Sequence, residues 1–245
     1  MADSYNTQVV ILRNKILQNM DKLYICYSRE LGKIPVIAYG IGNNKNRYNG
    51  LMQPFNNLEM QLRSSKRYEL FQQAELIGNR SAESDIDFLA YASVLTELTE
   101  YLTPDRQPEP EVYELLVRCL ELLRVRNKRL VTIIFTVKLL STIGVGRDFL
   151  HCTSCEKDLE ANAFFDGLKE GIICGDCCLS KDFEVTHDVQ ILLDKFTKID
   201  LSNKIEFSVT GGQLKQLERL AYTLIRIHID KPLKSLIFLN ELLKN

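Results

Sequence analysis

The strongest constraint on the fold is a pair of cysteine pairs late in the chain. Cys152 and Cys155, followed by Cys174 and Cys177, form the pattern C-x2-C-x18-C-x2-C. Two residues between thiolates allow a tight turn that points both sulfurs at one ion, and two such turns supply four ligands. Because sulfur would fill every position of a tetrahedral site, the spacing predicts one structural Zn2+ with no place for water or substrate.

Other chemistries also use paired cysteines. A redox dithiol is expected near a βαβ pattern, with a group that lowers the pKa of a thiol, and the sequence suggests neither. An iron–sulfur centre is a further alternative. Cys178 could replace Cys177 as the fourth ligand, because adjacent residues exchange roles after a small backbone shift. His151 precedes the first ligand and is interpreted as a bystander.

The remaining cysteines and the N-terminus indicate the compartment. Cys26 and Cys119 are isolated in apolar surroundings, and the total of seven is odd, which does not suit a disulfide framework. No apolar run is long enough to cross a membrane, and the first residues lack the basic start and cleavage site of a signal peptide. These features predict a cytoplasmic protein without a membrane partner.

Hydrophobic periodicity changes near residue 80. The runs TQVVILR, KLYICYS, KIPVIAYG, LEMQLRS and YELFQQAEL read as five strands, which suggests a small barrel such as the OB-fold. From Asp85 onward apolar residues recur every three or four positions, as in helices. The prediction is therefore an α+β multidomain chain: an OB-fold over 1–80 and an all-helical domain over 81–245, with a zinc-ribbon-like insert over 148–180.

Charge is distributed unevenly between these two parts. Residues 1–80 contain eleven Lys or Arg against six Asp or Glu, a net +5, whereas the other residues contain 20 against 26, a net −6. A positive barrel would attract a polyanion, and single strands bind through cations for phosphates and aromatic faces for bases. The candidate nucleic-acid-binding residues are Arg13, Lys15, Lys33, Tyr39, Lys45, Arg47, Tyr48, Arg63, Lys66 and Arg67.

Motifs that would indicate an enzyme are missing from the sequence. It contains no phosphate-binding P-loop, no G-x-G-x-x-G after a strand, no G-x-S-x-G and no H-E-x-x-H. Its three histidines, His151, His187 and His228, lie in separate segments, and His228 lies on an apolar helical face that is typical of a core residue. We therefore expect no catalytic site.

Three separated strings carry a resemblance to a known family. MDKLYICYSRELGKIPVIAYG, MQPFNNLEMQL and HIDKPLKSLIFLNEL, together with the cysteine insert between helices, resemble the RecO family of bacterial recombination mediators. The resemblance implies an N-terminal OB-fold and a helical domain with a zinc-binding insert. It also implies binding of single- and double-stranded DNA, annealing of complementary strands, and no enzymatic step.

The same resemblance implies partners and a location. Family members act with RecR, and in many bacteria RecF, to load RecA onto strands coated by single-stranded DNA-binding protein, so a nucleoid-associated cytoplasmic protein is expected. The helical domain of the family receives the acidic tail of single-stranded DNA-binding protein, for which we predict Lys128, Arg129 and Lys138. The alternatives from other classes are a thiol oxidoreductase that uses the paired cysteines, and an RNA-binding OB-fold protein.

This chain departs from the family pattern at two places. After AYG, relatives usually carry a denser basic run, whereas this loop reads IGNNKNR and keeps only Lys45 and Arg47 there. Fewer phosphate contacts predict weaker binding and a shallower salt dependence. Glu156 follows the first cysteine pair where glycine is common, so we expect some strain in that turn.

Overall fold

The structure is a computed structural model that describes residues 4–43, 46–78, 85–178, 183–201 and 208–244. The chain divides into two compact units, and each is described by itself. The first contains Met1–Lys128 and Leu233–Asn245, and the second contains Arg129–Pro232. The units are defined by which residues contact one another, and their boundary near residue 128 does not coincide with the change of periodicity at residue 80. The domain boundaries predicted from the sequence therefore stay a prediction.

Five strands of the first unit form the barrel that the sequence predicts. They are β1 (Ser4–Ile16), β2 (Lys22–Ser28), β3 (Gly32–Ala38), β4 (Asn57–Arg63) and β5 (Glu69–Leu76). Each strand pairs with two neighbours in the order β1-β2-β3-β5-β4, and β4 returns to β1, so the sheet closes. This arrangement, followed by helices, confirms the predicted α+β fold with an N-terminal OB-type barrel.

The first strand belongs to both halves of the barrel. Residues 4–10 of β1 pair with β4 and residues 9–16 pair with β2, with an irregularity in the register between Ile11 and Arg13. Such a bulge bends a strand and increases its twist, which small barrels need in order to close. Strands β3 and β5 meet across a parallel seam of only two residue pairs, Val36 with Glu69 and Ile37 with Leu70.

Alternating apolar side chains fill the barrel. Leu58, Met60 and Leu62 on β4 are fully buried, while the residues between them point outward, as their spacing predicts. Tyr24 on β2 is also buried, as expected for a core aromatic. Each buried side chain of this size contributes about 1.5–3 kcal/mol relative to an exposed position. Together they give the barrel its own hydrophobic core.

Three helices complete the first unit: α1 (Ile86–Leu102), α2 (Pro110–Leu122) and α6 (Lys234–Leu242). The Asp85 carboxylate accepts a hydrogen bond from the Phe88 N–H at 2.9 Å and caps α1, while Pro110 occupies the first turn of α2. Glu97 on α1 accepts hydrogen bonds from the backbone N–H groups of Lys234 and Ser235. A side chain of α1 therefore caps the helix that follows the second unit.

The second unit is mainly helical and contains a small sheet. Its elements are α3 (Lys128–Thr142), β6 (Ala163–Asp166), β7 (Gly171–Ile173), β8 (Phe183–Val185), α4 (His187–Lys198) and α5 (Gly211–His228), with strand order β7-β6-β8. From Val131 to Val137 every residue of α3 is buried, including Thr132 and Thr136, as expected for a helix that is apolar nearly all round. Among the described residues, none of the helices is both long enough and apolar enough to cross a bilayer.

Gly32 at the start of β3 is required by the loop that follows α1. Its φ is +67°, and a Cβ there would lie 2.2 Å from the carbonyl oxygen of Gln107. The loop is held in place because the Arg106 N–H donates to the Lys33 carbonyl oxygen at 3.0 Å. Glycine therefore lets the segment between α1 and α2 lie against the barrel.

We predict that Gly32→Ala lowers the free energy of unfolding by about 3 kcal/mol, because the substitution adds both a left-handed backbone strain and a backbone clash. Gly40→Ala is the matched control, since Gly40 has a φ of +61° but open space around its Cβ position. The control should lose only about 1 kcal/mol. Urea denaturation measures both, and equal losses would contradict the role assigned to the loop.

Candidate nucleic-acid interface and metal centre

The four predicted cysteines meet in the second unit. The sulfur atoms of Cys152, Cys155, Cys174 and Cys177 all lie within 4.8 Å of one another. The sulfurs of Cys155 and Cys174 are 3.8 Å apart, which matches the edge of about 3.8 Å in a tetrahedron with Zn–S bonds near 2.3 Å. The four residues can therefore hold a metal ion.

Two turns and a backbone link position these sulfurs. The Glu156 N–H donates to the Cys152 carbonyl at 2.8 Å in the first turn, and the Cys177 N–H donates to the Cys174 carbonyl at 3.2 Å in the second. The Thr153 N–H donates to the Ile172 carbonyl at 2.9 Å and ties the first turn to β7. The small sheet thus fixes the distance between the two cysteine pairs.

The electrostatics of the thiols suit a cation. Burial disfavours the Cys152 thiolate, but N–H groups including that of Cys174, 3.3 Å away, outweigh it and lower its pKa to about 6. The hydrogen bonds of Cys177 with Cys155 and Cys174 raise the pKa of Cys177 to about 12. Four thiolates this close would repel one another, and a metal cation at the centre of the cluster would offset that repulsion.

Three residues lie next to the clustered cysteines in the sequence: Cys178, His151 and Glu156. Cys178 is not among the four clustered sulfurs, so the geometry favours Cys177 as the fourth ligand. The His151 ring lies between the carboxylates of Asp148 and Asp158, at 2.7 and 3.0 Å, rather than in the cysteine cluster. Glu156 has a φ of +61°, a left-handed conformation that favours glycine and matches the strain expected there.

A continuous row of paired residues runs around the outside of the barrel. Lys15 pairs with Leu23, Leu23 with Ile37, Ile37 with Leu70, and Leu70 with Arg63. These five side chains are partly or fully exposed, whereas neighbouring positions such as Tyr24 and Val36 point into the core. The row therefore combines two cations with three apolar side chains on one outer surface.

Two of the predicted DNA-binding cations make strong contacts within the protein. Arg13 forms a two-point ion pair with Glu100 on α1, at 2.6 and 2.7 Å. The Lys33 ammonium group is largely buried and donates to the Glu100 and Thr103 carbonyls at 2.6 and 2.8 Å, with Asp105 at 3.1 Å. Their charge is already matched, so their assignment to DNA stays a prediction that would require competition with these contacts.

The other predicted residues lie at the rim of the barrel. Tyr39 is exposed directly after β3, and Lys66 and Arg67 are exposed in the turn between β4 and β5. Arg47 is exposed, stacks over the Tyr48 ring at 4.6 Å and donates to the Tyr48 hydroxyl. Lys45 lies outside the described residues. Their assignment to DNA stays a prediction.

Sequence reasoning missed part of this rim. The end of β1 and the turn to β2 expose Ile16, Leu17 and Met20. Lys22 follows the turn, and its ammonium group donates to the Asn49 side chain at 3.2 Å. The available signal was the basic residue on each side of the turn. The apolar residues between them are typical of strand ends, so the sequence did not predict that they form part of an exposed surface.

The three cations predicted to receive an acidic tail all have internal partners. Lys128 lies 3.4 Å from Asp85 in the first unit. In the second unit Arg129 forms a two-point ion pair with Glu218, and Lys138 donates to the carbonyls of Thr197 and Ile199 at the end of α4. Each side chain stabilises its own unit, and a role in partner binding stays a prediction.

Comparison with known proteins gives consistent matches over the chain. Residues 1–80 match the family model described as the N-terminal part of recombination protein O, and residues 83–237 match the model of its C-terminal part. The chain is 27% identical to the DNA repair protein RecO of Desulforamulus reducens, over 98% of this chain and 96% of that protein. It is 30% identical to the DNA repair protein RecO of Listeria monocytogenes serotype 4b, over 95% and 92%.

We predict that Cys177→Ser abolishes tight metal binding and that Cys178→Ser, its neighbouring control, keeps one ion per chain. Of these two cysteines, only Cys177 belongs to the sulfur cluster. Its loss leaves three sulfur ligands, which hold a metal less tightly than four. Elemental analysis after dialysis measures the bound metal, and thermal denaturation should show a lower Tm for Cys177→Ser alone. Loss of the metal from the Cys178 variant would contradict this ligand assignment.

We also predict that Glu156→Gly raises the free energy of unfolding by about 1 kcal/mol, because glycine removes the cost of a left-handed conformation. Glu160→Gly serves as the control, since Glu160 is exposed nearby and is not among the residues with positive φ. The control should be neutral or destabilising. Chemical denaturation of the metal-loaded proteins measures the free energy of unfolding of both variants. A Glu156 variant less stable than the wild-type chain would contradict the backbone strain assigned to this residue.

Proposed function

The chain belongs to the RecO family of recombination proteins, and on that premise we propose that it is a non-enzymatic mediator of recombinational DNA repair. Family membership supports the role in repair. The finer proposal is that the barrel binds single- and double-stranded DNA and anneals complementary strands. Such a reaction forms base pairs and breaks no covalent bond, so it needs positioning and charge neutralisation rather than catalytic groups.

The observation that carries the proposal is the separation of charge on the barrel. The sequence contains no acidic residue from Ser4 to Met20 or from Leu31 to Leu58. The one carboxylate between β1 and β2, that of Asp21, accepts a hydrogen bond from the Gly40 N–H at 2.7 Å. The surface that contains Lys15 and the turn after it can therefore approach a phosphate backbone without strong repulsion.

A single strand needs both charge and flat surfaces. Lys15, Arg63, Lys66 and Arg67 are exposed cations, and the exposed ring of Tyr39 lies near them in the pairing scheme, directly after the last residue of β3. Bases stack on aromatic rings of this kind, while phosphates contact the cations. OB-folds bind oligonucleotides through strands 2 and 3 and through the turns that join strand 1 to strand 2 and strand 4 to strand 5.

The metal has a supporting role in this proposal. We assign it as Zn2+, because four thiolates in a tetrahedral arrangement form a typical structural zinc site. When bound, the ion neutralises the thiolates and holds two turns of the second unit together. Cys152, Cys155, Cys174 and Cys177 would hold it, which leaves no thiolate of the cluster available for the redox chemistry of the oxidoreductase alternative.

The proposal extends to partners by resemblance to the family. We propose that the chain acts with RecR, and with RecF where it is present, to load RecA onto strands coated by single-stranded DNA-binding protein. The acidic tail of that protein would contact the helical region around Lys128, Arg129 and Lys138. A carboxylate at these sites would compete with Asp85, Glu218 and helix carbonyls. The proposed location is the bacterial cytoplasm, at the nucleoid.

The proposal is tested with Arg63→Ala, Lys66→Ala and Arg67→Ala in one variant. Removal of three phosphate contacts should reduce the slope of log K against log salt by about 2 for single-stranded DNA, with slower annealing of complementary oligonucleotides. Lys157→Ala, Lys169→Ala and Lys195→Ala together form the control, because they remove the same charge from exposed positions of the second unit.

Three outcomes would contradict the proposal. Unchanged annealing and an unchanged salt slope in the barrel variant would exclude this surface. An equal loss in the control variant would indicate a general charge effect rather than a binding surface. Preferential binding of single-stranded RNA over DNA of equal length would favour the RNA-binding alternative.

A further inference from the structure

The turn between β1 and β2 exposes an unusual amount of apolar surface for its size. Ile16 is 71% exposed, Met20 is 62% exposed and Leu17 is 37% exposed, and Tyr39 after β3 is 67% exposed. We name these four residues the apolar tip. Exposed single apolar residues are common, but four on adjoining segments form a patch that indicates a binding function.

Hydrogen bonds fix the backbone of the apolar tip. The Leu17 N–H donates to the Asp21 carbonyl at 2.8 Å, and the Asp21 N–H donates to the Gln18 carbonyl at 3.1 Å. Asn19 and Met20 both have positive φ values, 57° and 62°, which the turn maintains. A backbone that is held in this way presents its side chains without a large entropic cost on binding.

A second set of contacts joins the turn to the segment after β3. The Gly42 N–H donates to the Met20 carbonyl at 2.8 Å, and a Cβ at Gly42 would lie only 2.9 Å from that oxygen. The Asp21 carboxylate accepts from the Gly40 N–H. Tyr39 and Met20 therefore belong to one edge of the barrel, because hydrogen bonds join residues 20–21 to residues 40–42.

Cations flank the apolar tip. Ile16 pairs with Lys22 across β1 and β2, and Lys15 precedes Ile16. The carboxylate of Asp21, the one acidic group in this part of the sequence, is directed at a backbone N–H of the neighbouring segment. The centres of protein–protein interfaces are depleted in charged residues, whereas nucleic-acid surfaces combine cations with apolar side chains that contact bases.

We infer that the apolar tip inserts between unstacked bases of a single DNA strand while the flanking lysines contact its phosphates. This inference rests on the proposed function, because it assigns the base-contacting element of the same surface. Aliphatic side chains separate neighbouring bases as a wedge, and Tyr39 provides a face for stacking. A strand held with its bases apart has its pairing edges free for a complementary strand.

The test uses Ile16→Ser with Met20→Ser, two exposed positions whose substitution removes no core packing. Affinity for a single-stranded oligonucleotide should fall about tenfold or more, because base contacts are lost, while the salt slope stays at its wild-type value. On an abasic oligonucleotide with the same phosphates, the variant and the wild-type chain should bind equally. An oligonucleotide with 2-aminopurine should show less unstacking in the variant.

Val125→Ser with Leu168→Ser is the matched control, since both residues are strongly exposed and apolar and neither belongs to the apolar tip. The control should bind as the wild-type chain does. An unchanged affinity of the tip variant, an equal loss on abasic DNA, or a changed salt slope would each overturn the inference. If the wild-type chain binds no DNA, the proposed function fails. If the wild-type chain binds DNA but the tip variant binds it equally well, only the inference about the apolar tip fails.

Discussion

The short seam between β3 and β5 is the contact on which the barrel surface depends. Two residue pairs close the ring, and the first includes Glu69, which is 2% exposed and bonded to Arg106 at 2.8 Å. Burial and this carboxylate together raise the pKa of Tyr5, which lies against it. Because the seam joins Ile37 to Leu70, it also brings Arg63 into the row that begins at Lys15. Without this closure, Arg63 on β4 would not share the row with Leu23 and Ile37.

Local patterns explain why much of the molecule could be predicted from sequence. The alternation over Leu58–Leu62 and the four-residue spacing after Asp85 depend on one element each, so the strands and helices follow from them directly. The cysteine cluster was predictable because its ligands lie in two short turns. In each case the relevant interaction operates over a few residues.

Long-range charge pairing could not be predicted in the same way. Lys33 and Arg13 look like free cations in the sequence. Their partners are Glu100 in the last turn of α1 and Asp105 in the segment after it, some seventy to ninety residues away along the chain. The same limit applies to the apolar tip, whose residues read as strand ends until pairing shows which of them face solvent. Neither composition nor periodicity contains this information.

The placement of α6 has a consequence for how the chain is made. The helix belongs to the first unit, where Glu97 caps it, yet it follows the whole of Arg129–Pro232 in sequence. During synthesis α1 leaves the ribosome before the second unit, whereas α6, which packs against α1, emerges only after that unit. The nascent chain therefore exposes one side of α1 while the second unit is being made, until the helix that covers it has appeared.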